Sequence, residues 1–178
     1  MRSSRILRRI GLVLMLLWGT LASLFIAGYA FEDLPLATAI LETAAWVVPM
    51  LALLVVGWRA PERIAIRVLA IAVVVVGIGW GANLADPVRW GELFDRVGPV
   101  LAIAGIAVTI PLAALGQRRP LAAGVLLLVA ALVPVIGVGG LVGGFMRSAR
   151  IATLPNLVFG LLFLVAGLIE RDTARSIR

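Results

Sequence analysis

The sequence predicts an all-α, polytopic transmembrane bundle of about six spans, and three observations carry that prediction. First, 62% of the 178 residues are apolar and only 14% are charged, whereas soluble domains sit at about 45–50% apolar, glycine included, and about 25% charged. A soluble core of this length has no room for so much apolar surface, so the excess is expected to face lipid. Second, the apolar residues fall into long runs. Third, the arginines gather between those runs.

The first run, Ile10–Ala30, follows Arg2, Arg5, Arg8 and Arg9. It resembles a secretory leader but exceeds the apolar stretch of about 7–15 residues that a leader carries, so it is expected to stay as a span. The second, Leu34–Val56, is broken only by Glu42 and two threonines. The third, Ile64–Ala82, has Arg63 and Arg67 at i, i+4 on one face of its start. The outer connection that follows opens with Asp86-Pro87, an N-cap followed by proline at the first helical position. A short interfacial helix over 87–96, anchored by Trp90, fits the alternation after it. The fourth run is Val97–Leu115, with Thr109 and Pro111 marking a kink. The fifth is Leu121–Val142, and the sixth, Ala152–Ile169, is the shortest. The whole chain, 1–178, is read as one integral membrane domain.

Spans of roughly 20 residues use most of the chain and leave no soluble catalytic domain. Cysteine and histidine are absent, and all 16 basic residues are arginine. Disulfide, thiolate, imidazole and Schiff-base chemistry are therefore excluded. A net charge of +7 in a soluble protein suggests nucleic acid; here the arginines lie at span ends and act as topology signals, so no nucleic acid and no cofactor are expected. With the N-terminus inside, Arg2, Arg5, Arg8, Arg9, Arg59, Arg63, Arg67, Arg118, Arg119, Arg171, Arg175 and Arg178 fall on the inner side, against Arg89, Arg96, Arg147 and Arg150 outside. Both termini are thus expected in the cytoplasm. Arginine-only, Ala/Val/Leu/Gly-rich usage suits a GC-rich bacterial genome, hence an inner membrane.

Two turns share the pattern Gly-x-Arg-x-Pro, Gly57–Pro61 and Gly116–Pro120. Glycine ends one helix, arginine meets its C-terminal dipole and proline opens the next. One reading is a duplicated helical hairpin, spans two–three and four–five; the other is that tight inner turns converge on these residues. Trp58 and Trp80 fall near span ends, where an aromatic belt would lie, and Trp18 and Trp46 fall deeper, as packing residues. Glycines spaced by four, Gly77/Gly81, Gly139/Gly143 and Gly140/Gly144, are candidate helix contacts within the chain or between chains.

Glu42 is the sharpest polar feature. It lies about 12 Å along its helix from Leu34 at about 1.5 Å per residue, inside a hydrocarbon core roughly 30 Å thick. Thr38, Trp46 and Pro49 share its face. With Asn83, Asn156, Arg147 and Arg150 it would form an outward polar pocket; the competing reading is a structural carboxylate that fixes helix register. Arg63 and Arg67 are read as snorkelling to headgroups, and with Arg59, Arg118 and Arg119 as an anionic-lipid or partner-docking patch. No catalytic constellation is present. The functional expectation is an accessory or scaffold membrane subunit without catalytic activity, whose partners are the lipid bilayer and another membrane protein or a second copy docked through glycine-rich faces. The alternatives are a cation- or proton-linked transporter or channel using Glu42, and a lipid-acting membrane enzyme.

Overall fold

The computed structural model describes the backbone at residues 2–86, 88–90, 92, 100–137 and 146–176. Every element among them is helical: α1 Arg2–Asp33, α2 Leu36–Arg59, α3 Glu62–Ala85, α4 Val100–Gly116, α5 Pro120–Gly137 and α6 Met146–Ser176. The helices outrun the apolar runs chiefly where arginine flanks them, at the start of α1 and the end of α6. Hydropathy marks where lipid is tolerated, whereas arginine is a good helix former and lets backbone pairing continue into water.

Proline sets the joints. Pro35 precedes α2, and its carbonyl accepts the Ala39 N–H at 3.0 Å. Pro61 precedes α3 and accepts from Ala65 at 2.9 Å. Pro120 opens α5. Asp86 closes α3, and its Oδ1 accepts the Arg89 N–H at 3.1 Å, which caps the helical turn at Val88, Arg89 and Trp90.

Among the described residues four helices are long and apolar enough to cross a membrane: Ser4–Gly28, Leu36–Arg59, Glu62–Asn83 and Thr153–Thr173. The described apolar parts of the other two, Ile103–Gly116 and Pro120–Leu132, are shorter. Each of the six expected runs falls on one helix, and among the described residues four of those helices have spanning length. The apolar character of α4 has a different cause from lipid contact. That helix touches all five others, and it is buried without a break from Ile106 to Gly116. A helix apolar on every side suits a protein interior or a membrane span, and the burial of α4 among its neighbours puts this stretch in the interior of the bundle.

The core forms around it. Met15 of α1, Leu69 and Val73 of α3, Leu112 and Leu115 of α4, Leu127 of α5 and Phe163 of α6 are all buried. The buried stripe of α3 continues through Trp80 to Asn83. Trp80, expected at an aromatic belt, is only 1% exposed and belongs to the core, whereas Trp58 is 55% exposed. Position along the span did not separate them; the helical stripe does.

The helices approach most closely at glycine. A Cβ on Gly124 would sit 2.6 Å from the Leu164 nitrogen and 2.9 Å from the Gly160 carbonyl oxygen, so α5 and α6 meet backbone to backbone. Gly57 stands against the Pro111 carbonyl in the same way. Gly77 is partly buried, and at Gly81 an added Cβ meets nothing within 4 Å among the described residues. Gly139, Gly140, Gly143 and Gly144 lie outside the described residues. The outer faces remain apolar: Leu17, Leu21, Leu24 and Phe25 of α1 and Leu41, Val48 and Val55 of α2 are exposed. Soluble monomers rarely carry contiguous apolar patches beyond a few hundred Å²; lipid is the solvent that suits these faces.

Candidate functional site

The polar residues expected to gather around Glu42 take different roles. Asn156 is 2% and Thr109 1% exposed. Thr109 Oγ1 lies 2.7 Å from the Gly105 carbonyl oxygen and 2.7 Å from the Asn156 side-chain oxygen as oriented. A hydroxyl has one proton to donate, so both contacts are satisfied together when the amide turns its NH2 toward Thr109. This bond ties α6 to the central helix beside Pro111 and Pro155, where each proline removes a backbone donor. Asn83 is buried on the α3 stripe. Glu42 is partly buried, at the border of the α2 stripe, while Thr38 and Pro49 on its face are exposed. No hydrogen bond or ion pair joins Glu42 to Asn83, Asn156 or any other described residue. The side chains of Arg147 and Arg150 lie outside the described residues.

A second polar cluster is the more developed one, and it lies where the helices' charged ends meet. Ser4 Oγ donates to Glu170 Oε1 at 2.7 Å, and the Arg8 guanidinium reaches the same oxygen at 3.0 Å. Arg8 also donates to the Gln117 carbonyl at 3.0 Å, and Gln117 Nε2 donates back to the Arg8 carbonyl at 2.6 Å. These bonds bring the start of α1, the α4–α5 turn and the end of α6 together. Arginines oppose the dipole at the start of their own helix; here Arg8 lies beside the C-terminal turns of α6, whose dipole favours a cation. The Arg8 and Glu170 side chains are 18% and 38% exposed, and an isolated pair of that exposure contributes about 1 kcal/mol or less. Its importance lies in joining three segments at once.

The same turn reaches the opposite hairpin. Arg118 donates to the carbonyls of Ala60 at 2.7 Å and Trp58 at 3.2 Å. Arg119 pairs with Glu62 at the start of α3. The two Gly-x-Arg-x-Pro turns therefore touch. Arg118 and Arg119, expected to reach headgroups, both hold protein groups; Arg59, Arg63 and Arg67 are exposed with no partner among the described residues.

Sequence reasoning took Arg8 for a topology signal and did not single out Glu170. The available signal was an acid among Arg171, Arg175 and Arg178 at the end shared with Arg5, Arg8 and Arg9; which helices adjoin was not readable. Beside this latch lies a half-open cavity of about 230 Å³ lined by Ser4, Arg5, Arg8, Ile169, Glu170 and Thr173. No protein-family model, curated protein or solved structure matches the chain.

Proposed function

We propose that this chain is a small integral membrane protein that acts as an accessory or scaffold subunit rather than a catalyst or a transporter. One observation carries the reading: the middle of the bundle is filled by α4, buried from Ile106 to Gly116. A solute path between helices needs a lined opening there. The fully buried polar side chains of α4 and α6, Thr109 and Asn156, are engaged with each other, while the buried hydroxyls of Ser23, Thr43 and Thr153 have no described partner. What the fold leaves available is its outside, the apolar faces of α1 and α2, which suit lipid and a partner helix. The arginine asymmetry supports an orientation with the latch and both termini in the cytoplasm, and the arginine-only residue usage suits a bacterial inner membrane.

The test is purification from native membranes in a mild detergent, with mass spectrometry of whatever accompanies the chain. A stoichiometric membrane partner supports the subunit reading. Recovery of the chain alone, together with cation or proton flux in proteoliposomes, overturns it. The alternative, a cation- or proton-linked transporter, is favoured by the one partly buried carboxylate without a described partner, Glu42. That reading requires flux which Glu42→Gln abolishes.

A further inference from the structure

The cavity at the latch has the chemistry of a headgroup site. Its walls carry both signs of charge. Arg5 is exposed and has no partner among the described residues. Glu170 takes Ser4 and Arg8 on Oε1, and no described contact falls on Oε2. Arg8 gives its two terminal nitrogens to Glu170 and the Gln117 carbonyl, and its Nε is buried without a described partner. The cavity therefore offers one cation and one carboxylate edge side by side. A plain anion would bind Arg5 but face Glu170, whereas a group bearing a phosphate and an ammonium satisfies both.

Position argues for a lipid as the source of that group. The apolar run of α1 begins at Ile10 and that of α6 ends at Ile169, so the polar residues of the cavity lie just beyond both. A cavity lined by Ser4 and Thr173 thus lies at the boundary where headgroups reside. From it, exposed Ile6, Ile10 and Val13 follow along α1 and Leu168, Val165 and Leu161 along α6. Acyl chains would lie along these residues.

We propose that this cavity binds a zwitterionic phosphate–ammonium headgroup of phosphatidylethanolamine type, with the phosphate on Arg5 and the ammonium on Glu170 Oε2. The inference rests on the membrane reading of the chain. It differs from the expected anionic-lipid patch of Arg59, Arg63, Arg67, Arg118 and Arg119 in both place and ligand charge.

The experiment reconstitutes the full chain with equal amounts of phosphatidylethanolamine, phosphatidylcholine and phosphatidylglycerol, re-extracts it and measures the retained lipid by native mass spectrometry. Phosphatidylethanolamine should be enriched about tenfold over phosphatidylcholine, whose trimethylated ammonium donates no hydrogen bond, the factor commanded by one charge-assisted hydrogen bond. Arg5→Gln, which leaves the Arg8–Glu170 latch intact, should abolish that retention. Glu170→Gln should reduce the discrimination between the two zwitterions. Phosphatidylglycerol retained as well as phosphatidylethanolamine overturns the proposal, as does retention unchanged by Arg5→Gln. Soluble phosphoethanolamine bound by the stripped protein without any lipid enrichment overturns the lipid source. Release from carbonate-washed membranes contradicts the membrane reading, whereas a chain that stays in them without lipid preference contradicts this proposal alone.

Discussion

Gly124→Ala adds one methyl group where α5 and α6 meet, and the structure gives its cost. The new Cβ would lie 2.6 Å from the Leu164 nitrogen, 2.9 Å from the Gly160 oxygen and 3.0 Å from the Leu164 Cα. Ordinary contact begins at 3.4 Å. All three neighbours are backbone atoms, so no side-chain rotation relieves the overlap and the helices must part by several tenths of an ångström. Overpacking of this kind costs about 1–3 kcal/mol. The same substitution at Gly81 and Gly28 meets nothing within 4 Å. At those two sites the relief of glycine's backbone entropy should stabilise by about 0.5–1 kcal/mol. Unfolding in mixed micelles of mild and denaturing detergent, followed by tryptophan fluorescence, measures the three variants against the parent. One chemical change should thus shift stability with opposite signs at the packed and the open sites. Three variants that shift together, or a Gly124→Ala protein as stable as the parent, would refute the α5–α6 contact.

Three further outcomes follow from the polar contacts. Thr109→Val should cost about 1 kcal/mol or more by leaving Asn156 unpaired in the interior, and adding Asn156→Leu should recover part of that loss; additive losses in a double-mutant cycle would deny the bond. Arg118→Ala removes the donor to Trp58 and Ala60 and should destabilise by about 1 kcal/mol while speeding proteolysis at the α2–α3 turn; unchanged proteolysis would mean the two turns are not tied. Glu42→Gln should leave stability within about 0.5 kcal/mol and co-purification intact, since no described residue pairs with Glu42; loss of a bound partner would make that carboxylate part of the docking surface.

The runs of apolar residues were legible because lipid compatibility is a local property, and each run overlaps one helix. Helix ends were less so: arginine at 2, 5, 8 and 9 reads as the edge of a span but extends α1 without a break. Which helix is central was hidden, because all six runs are apolar on most sides and α4 differs only in what surrounds it. Close packing depends on pairs such as Gly124 with Gly160, and a single sequence names each member without naming its partner. The polar set shows the same limit. Thr109 was legible as a kink marker beside Pro111, but its hydroxyl bonds the Gly105 carbonyl rather than the Ala107 carbonyl that Pro111 leaves without a donor. Its second contact with Asn156 spans 47 residues and had no local signature. Arg8 and Glu170 are 162 positions apart and meet only because the first and last helices adjoin.

A chain without native cysteine allows a direct test of the filled centre on which the functional reading rests. Single substitutions Ala107→Cys, Ala113→Cys and Ala114→Cys on α4, with Asp172→Cys as the exposed reference, can be treated with a small water-soluble thiol reagent in native membranes opened to both sides. If α4 is sealed among its neighbours, the reference reacts and the three buried positions do not. Reaction at those positions would reveal water along the central helix and turn the account toward a transport path.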